Sequence, residues 1–414
     1  MSADEALGLV YLPTELPTHD YYGGARPGNN LFSESIVAVD VRTGRRKWHY
    51  QLVHHGIWDM DIPAAPILAD ITVNGRAIKA LAQPTKQAFL YVLNRETGEP
   101  IWPIEERPVP KGDTPGEWYS PTQPFPTKPP AYDGQGLTID DLIDFTPELR
   151  AEAVKLVARY RLGPIFTPPA VSRKEGPIAT LTMGAQAAAS NWPGGSYDPE
   201  THTVFVASQT AVATLGLVPP PPGRSDMPYF QGTILSGARL TGGSGADAGL
   251  AVAPTAAAPA AAAGGEGGGG GGLTVQGLPL VKPPYSRITA IDLDKGEFRW
   301  QAPFGATPDN IRNHPALKGL NLPPMGRQGN NSGTLVTKTL LVAGESNFGP
   351  TPSGQRGAML RAFDKATGKE VGAVYLPAPQ SGSPMTYMIN GKQFIVVAIS
   401  GGTYSGELVA FRLP

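Results

Sequence analysis

Cysteine is absent from the 414-residue sequence, which excludes disulfide bonds, thiolate metal sites and a covalently attached c-type haem. No run of about 18 apolar residues is present, so no transmembrane helix is expected. The first residues, MSADEALGLVYLPT, lack a basic stretch followed by an apolar one, so we expect no signal peptide in this sequence. Basic residues number 34 against 35 acidic ones, so no positive excess is available for nucleic acid or an anionic membrane.

Glycine and proline are abundant, at 51 and 44 residues, and both are scattered along the chain. Because both residues break helices, few helices are expected. Apolar residues make up 41% of the sequence, which is enough to bury a sizeable core.

An internal repeat predicts the fold. Each copy has an apolar strand, an Asp or Asn, a turn centred on Gly and a second strand, and three of the four copies end in Trp: VAVDVRTGRRKW (37–48), LYVLNRETGEPIW (90–102), ITAIDLDKGEFRW (288–300) and LRAFDKATGKEVG (360–372). Glycine supplies the positive φ of a tight hairpin turn, and the Trp would fill the wedge between neighbouring sheets. Repeated four-stranded units favour an all-β propeller, and a structural solenoid is the alternative.

Three segments interrupt this repeat. Residues 103–136 are rich in proline and predict an extended surface loop. The best helix lies near 146–160, with Thr146 as its N-cap ahead of Pro147. Residues 242–272 form a Gly/Ala-rich low-complexity segment, which predicts a disordered insertion.

The repeat begins in the middle of a unit, and only about four to five blades fit in residues 1–414. An open ring would leave unpaired sheet edges, which soluble proteins usually avoid. We therefore expect a partial propeller, the C-terminal part of a larger protein whose N-terminal blades are missing here. The sequence does not give the oligomeric state.

The segment HHGIWDMDIPAAP (54–66) places two histidines, a tryptophan and two aspartates in a loop between apolar strands. A carboxylate where propeller loops converge could act as a general base or bind a hard cation such as Ca²⁺. Alternatively, the aspartates cap turns and the tryptophan packs. Adjacent residues of an extended loop point in opposite directions, so His54 and His55 are not expected to share a metal.

Several stretches resemble the pyrroloquinoline quinone (PQQ)-dependent dehydrogenases, eight-bladed quinoproteins, and above all their membrane glucose dehydrogenase-like branch. The resemblance covers nearly the whole chain outside the low-complexity segment, and these stretches carry it: 20–75, TKQAFLYVLNRETG (85–98), YSPTQPFPTKPP (119–130), NWPGGSYDPETHTVFV (191–206) and SPMTYMINGKQFIVVAISGG (383–402).

The resemblance implies roles for four residues. Asp59, the Asp of the Trp-Asp pair, would be the catalytic base and a candidate metal ligand. Lys86 would contact the quinone oxygens, where a cation would stabilise the negative charge that develops on reduction. Asn191 and Trp192 match an Asn-Trp pair that contacts the cofactor. Leu16 stands where relatives carry an Asn ligand of Ca²⁺, and because Leu cannot ligate a cation, the Ca²⁺ site is expected to be incomplete.

The resemblance therefore implies an enzyme that oxidises a sugar or alcohol hydroxyl, with hydride passing to PQQ and electrons leaving to a quinone or a cytochrome. It also implies a location in the periplasm or at the outer face of the inner membrane. The alternative is a non-catalytic propeller for binding or assembly that has lost the cofactor site. Because ligands are missing, we expect the isolated chain to bind PQQ and Ca²⁺ weakly or not at all.

Overall fold

A computed structural model describes residues 1–186, 188–238, 273–329 and 332–412. Its first fourteen strands are β1 (Ser2–Asp4), β2 (Leu9–Pro13), β3 (Ser35–Asp40), β4 (Arg46–Gln51), β5 (Ile67–Val73), β6 (Arg76–Pro84), β7 (Leu90–Asn94), β8 (Ile104–Pro108), β9 (Thr122–Pro126), β10 (Ala170–Val171), β11 (Thr180–Thr182), β12 (Gly195–Asp198), β13 (Thr203–Gln209) and β14 (Ala213–Val218). The expected insertion at 242–272 lies outside the described residues.

The other strands are β15 (Phe230–Thr233), β16 (Gly237–Ala238), β17 (Thr274–Val275), β18 (Leu278–Pro279), β19 (Ser286–Asp292), β20 (Glu297–Pro303), β21 (Thr334–Val336), β22 (Leu340–Gly344), β23 (Gly349–Pro350), β24 (Arg356–Asp364), β25 (Glu370–Leu376), β26 (Met385–Ile389), β27 (Lys392–Gly401) and β28 (Tyr404–Arg412). The helices are α1 (Pro147–Val157) and α2 (Asp309–Arg312), with 3₁₀ turns at Ile139–Asp141 and Pro315–Leu317.

Small sheets, almost entirely antiparallel, dominate the structure. The larger sheets have the strand orders β1-β2-β3-β4, β5-β6-β7, β12-β13-β19-β20, β21-β22-β24-β25 and β26-β27-β28, and β14 is the centre of another sheet with β10, β11, β15 and β16. The apolar core lies mainly in layers between successive sheets. The all-β architecture expected from the sequence is thus confirmed.

Each repeat closes its turn with the same hydrogen bonds. The turn glycine has a φ between +66° and +80° and donates its N–H to the Asp or Asn carbonyl four residues earlier, in the pairs Gly44–Asp40, Gly98–Asn94, Gly296–Asp292 and Gly368–Asp364. The Asp or Asn side chain also accepts backbone N–H bonds within each turn. The repeat therefore encodes a local turn that only glycine adopts without strain.

The repeat tryptophans pack sheet against sheet. Each indole lies on the turn glycine of the next repeat in the chain, so that a Cβ there would come within 3.1 Å of the ring, in the pairs Trp48–Gly98, Trp102–Gly296 and Trp300–Gly368. Trp48 Nε1 also donates to the Arg95 carbonyl, and Trp300 Nε1 donates to the Lys365 carbonyl. The expected wedge between sheets is therefore filled as the sequence predicts.

Helix α1 forms where the sequence predicts it. Thr146 Oγ1 accepts a hydrogen bond from the Leu149 N–H at 3.3 Å, which satisfies one of the free donors of the first turn. Leu149, Ala153 and Val157 are buried in an apolar cluster beside the sheets. Within the described ranges, no helix is long and apolar enough to cross a membrane.

We predict that Gly98→Ala destabilises the protein more than Gly44→Ala does. Both glycines have a positive φ, so each substitution adds left-handed strain of about 1–2 kcal/mol. Only the Gly98 Cβ would meet a ring, 2.7 Å from Trp48, whereas the Gly44 Cβ would meet nothing within 4 Å. Overpacking should add about 1–3 kcal/mol for Gly98→Ala, measured by urea unfolding. Equal losses in the two variants would contradict the proposed role of Trp48.

Candidate active site

The loop between β4 and β5 carries the two aspartates, and the buried His55 fixes its first half. The imidazole Nδ1 lies 2.7 Å from the Gly28 carbonyl oxygen, and Nε2 lies 2.9 Å from Glu117 Oε1. Glu117 is buried as well and accepts the Gly23 N–H through its other oxygen at 2.6 Å. The histidine therefore ties three segments together, and His54 bonds separately to Glu106.

Two more side chains fix the loop between His55 and Asp59. Arg26 donates to the Gly56 carbonyl at 2.8 Å. The Trp58 indole donates to the Thr167 carbonyl at 2.9 Å, and its ring meets Phe166 edge-on. Asp59 itself has a φ of +56°, an unusual value for a residue with a side chain, which such surrounding contacts maintain.

Lys86 joins the two aspartates. Its Nζ lies 2.8 Å from Asp59 Oδ1 and 3.0 Å from Asp61 Oδ2. The lysine follows β6, and its turn is held by Tyr132, which bonds to both the N–H and the carbonyl of Thr85. The predicted base and the predicted cation, 27 residues apart in sequence, are therefore in direct contact.

The single ammonium group of Lys86 faces two carboxylates, so the negative charges of this group outnumber the positive one. Burial raises the pKa of Asp59 to about 7, against the opposing attraction of Lys86. Burial alone would raise the pKa of Asp61, but Lys86 and the hydrogen bond from the Leu16 N–H lower this pKa below its ordinary value. Although burial alone would lower it, attraction to Asp59 and Asp61 raises the pKa of Lys86. Asp59 is therefore the group that exchanges a proton near neutral pH.

Glu34 adds a hidden carboxyl group beside this loop. It is fully buried against Gly56, and neither of its oxygens has a hydrogen-bond partner among the described residues. Burial, followed by the negative charge of Asp61, raises the pKa of Glu34 well above its ordinary value. Burial therefore favours the uncharged form of this carboxyl group. Its position in the polar turn before β3 gave no sequence signal of such burial.

Asn191 and Trp192 lie in a loop beside the site but do not touch its charges. Asn191 Oδ1 accepts the Trp192 N–H at 2.9 Å, and the Trp192 side chain is 45% exposed. Gly194 of the same loop packs on Ala64, at the end of the aspartate loop. Within the described parts of the chain, no hydrogen bond joins Asn191 or Trp192 to Asp59 or Lys86.

Gln87 is a site residue that the sequence analysis did not identify. It follows Lys86, is fully buried, and neither atom of its amide has a partner among the described residues. Gln83 Oε1, on the preceding strand, is likewise unpaired. Glutamines inside the otherwise apolar run QPTKQAFLYV are the signal that could have revealed them. Gln83 Nε2 does donate to the Ala64 and Pro84 carbonyls, so the unpaired atoms are Gln83 Oε1 and the amide of Gln87. Unpaired buried amide atoms near a cation in the sequence fit a polar planar ligand such as PQQ.

The donor set does not fit Ca²⁺. Asp59 and Asp61 are occupied by Lys86, and Leu16 offers Asp61 an N–H instead of an oxygen ligand. Among the residues that the structure describes, no group of three or more His, Asp or Glu side chains could hold a metal ion. Ca²⁺ takes about 6–8 oxygen ligands, so the described residues do not form a Ca²⁺ site here.

Comparison with known proteins gives a consistent picture. A family model described as "Glucose/ethanol/alcohol dehydrogenase, beta-propeller domain", of the PQQ group, matches residues 1–395. The quinoprotein glucose dehydrogenase of Escherichia coli is 31% identical over 99% of this chain and 48% of its own length. The glycerol dehydrogenase large subunit of Gluconobacter oxydans is 32% identical over 100% of this chain and 53% of its own length.

A solved structure is similar in fold. The quinohemoprotein alcohol dehydrogenase ADHIIG of Pseudomonas putida aligns with 96% of this chain and 44% of its own, at 18% identity and a TM-score of 0.52. The family match confirms the propeller fold expected from the repeats, whereas the number of blades stays a prediction. The chain spans about half the length of the curated relatives it matches.

We predict that Lys86→Met destabilises the protein by about 3–5 kcal/mol at pH 8, because it leaves two mostly buried carboxylates without their cation. The loss should be smaller at pH 5, where Asp59 is protonated and only one charge is uncompensated. Urea unfolding at both pH values measures the effect.

The matched control is Lys47→Met. Lys47 is 55% exposed and lies 3.8 Å from Asp40, so its loss should change stability by less than about 1 kcal/mol at either pH. A similar loss in both variants would mean that Lys86 does not hold the two carboxylates together.

Proposed function

Because this chain belongs to the PQQ-dependent glucose, ethanol and alcohol dehydrogenase family of β-propellers, we propose that it takes part in PQQ-dependent oxidation of a sugar or alcohol hydroxyl group. The observation that supports this proposal best is the Asp59–Lys86 contact, at 2.8 Å, beside unpaired buried amides. PQQ, when bound, supplies the two-electron acceptor.

Asp59 acts as the general base in this proposal. Its side chain remains 17% exposed, so a hydroxyl group can approach it, and its pKa of about 7 leaves a large ionised fraction at neutral pH. A base whose pKa lies near the working pH combines availability with proton affinity. Asp59 therefore takes the hydroxyl proton as the C–H bond is oxidised, and Lys86 keeps the carboxylate oriented.

Lys86 and Gln87 hold the cofactor. An ammonium group has three N–H donors, and Lys86 uses two on Asp59 and Asp61, which leaves one for a quinone oxygen. A cation there favours the negative charge that reduction brings to that oxygen. The amide of Gln87 offers a further donor and acceptor, and Asn191 with Trp192 contributes from the adjacent loop.

The names of similar proteins support a proposed substrate class and a proposed electron acceptor. A sugar or polyol substrate is supported by the names of the glucose and glycerol dehydrogenases. A quinone acceptor is supported by a similar protein of Xanthomonas campestris, named as a probable quinate dehydrogenase (quinone), and a cytochrome stays the alternative. We propose a location in the periplasm or at the outer face of the inner membrane, as the family resemblance implies. Ca²⁺ has no assigned role, because the donors of this chain do not fit it.

We predict that Asp59→Asn lowers turnover about 10²–10⁴-fold while PQQ still binds, because the amide keeps the shape but cannot take a proton. The assay is dye-coupled oxidation of glucose, glycerol and ethanol. PQQ is titrated to millimolar concentration, since binding to the isolated chain is expected to be weak. The matched control Asp61→Asn should keep most of the turnover.

Absence of turnover in the wild-type chain with bound PQQ would favour the non-catalytic alternative. Turnover close to wild type in Asp59→Asn would remove Asp59 from the role of base.

The pH dependence gives a second prediction for the same site. Only ionised Asp59 accepts a proton, so kcat/KM should fall about tenfold per unit below pH 7 and level off above it. Asp61→Asn should move this fall to lower pH, because the negative charge of Asp61 raises the pKa of Asp59. A pH profile that is unchanged in Asp61→Asn would contradict the assignment of the titrating group.

A further inference from the structure

Arg327 is a buried cation outside the candidate active site. It lies in the segment between α2 and β21 and is only 6% exposed. Its Nε donates to the Ala306 carbonyl at 3.4 Å, but neither Nη1 nor Nη2 donates a hydrogen bond to any described residue. Four of the five N–H donors of this guanidinium are therefore buried without an acceptor among the described residues.

Glu345 is the nearest anion, but its carboxylate already serves other donors. One oxygen accepts the Ala306 N–H and two N–H groups of Arg361 at 2.8 to 3.1 Å. The other oxygen accepts the Met359 N–H at 3.1 Å and lies 3.7 Å from Arg327 Nη1, beyond hydrogen-bond distance. Arg361 is also paired with Glu370 at 2.9 Å, so the two guanidinium groups face two carboxylates, while Nη1 and Nη2 of Arg327 lack a hydrogen-bond acceptor among the described residues.

The other charged group near Arg327 does not accept these hydrogen bonds. Asp309 is paired with Arg312 on helix α2. Burial lowers the pKa of Arg327, yet an arginine side chain stays protonated in proteins. Leaving buried polar groups without a partner is unfavourable by about 1–3 kcal/mol, and an anion from outside the chain would supply the acceptor oxygens.

Two glycines pack closely against Arg327. Gly349 lies so close to Nη1 that a Cβ there would overlap it, and Gly305 packs on the Arg327 Cβ. Ser346, in the same segment as Glu345 and Gly349, has a buried hydroxyl group without a described partner. A guanidinium fork and a free hydroxyl group in one buried region are donors suited to an oxyanion.

We propose that Arg327, with Ser346, forms a binding site for a small oxyanion of the carboxylate or phosphate type. The fork binds two oxygens of one anion in parallel, and the Ser346 hydroxyl group donates to the same anion. The proposal does not rest on the proposed dehydrogenase function.

The test compares thermal unfolding in sodium chloride, sodium acetate and sodium phosphate at equal ionic strength, with affinities measured by calorimetry. The melting temperature of the wild-type chain should rise with acetate or phosphate and reach a plateau, and the better of the two identifies the oxyanion. Arg327→Lys keeps the charge but loses the fork, so its dissociation constant should rise about 10- to 100-fold, as expected for loss of a charged hydrogen bond.

Arg327→Met is the deciding variant. It should lose the anion-dependent rise, and in sodium chloride it should melt at or above the wild-type temperature, because buried N–H donors without an acceptor have been removed. The matched control Arg312→Met removes the same charge from an exposed pair with Asp309 and should keep the rise.

Two results would overturn the proposal. The first is a wild-type melting temperature that responds to acetate and phosphate no more than that of Arg327→Met. The second is a drop of several degrees for Arg327→Met in sodium chloride, which would make Arg327 a structural partner of Glu345.

Discussion

One ammonium group between two carboxylates organises the candidate active site. Lys86 follows a strand of the second sheet, whereas Asp59 and Asp61 belong to the loop that leaves the first sheet, so their contacts join two sheets at one end. Because one positive charge cannot fully satisfy two mostly buried negative charges, the carboxylates differ: Asp61 stays ionised and Asp59 titrates near pH 7. The proton chemistry of the site thus results from the burial of two carboxylates that share one ammonium group, not from any single residue.

The spacing of the sheets makes this contact possible. Each indole of the repeat lies on a glycine turn of the next repeat, and only glycine leaves room for the ring at that position. Sheets held in this way place the ends of their strands at defined distances, so that loops from separate repeats meet. The buried His55–Glu117 pair and Arg26 then fix the course of the aspartate loop over this framework.

Some buried side chains have polar atoms without a described partner, among them Glu34, Gln87 and Arg327. Native proteins pair nearly all of their buried polar groups, so each exception calls for an explanation. Burial raises the pKa of Glu34 and so favours its uncharged form. Gln87 follows Lys86 in the chain, where a cofactor would supply the missing partners. The Nη groups of Arg327 lie beyond hydrogen-bond distance of Glu345, which is why they point to a ligand of their own.

The sequence by itself determined the local features: the Asp-to-Gly turns, the tryptophans between sheets and the helix that Thr146 caps. These depend on residues within a few positions of one another, and a repeated pattern reinforces them. Family resemblance also identified Asp59 and Lys86. Only the tertiary structure decided that Asp61 shares Lys86 with Asp59 and that His55 pairs with Glu117. It also decided that the carboxyl oxygens of Glu34 and the Nη groups of Arg327 are buried without described hydrogen-bond partners. Those properties depend on burial and on charges brought together from distant parts of the chain, which no local pattern records.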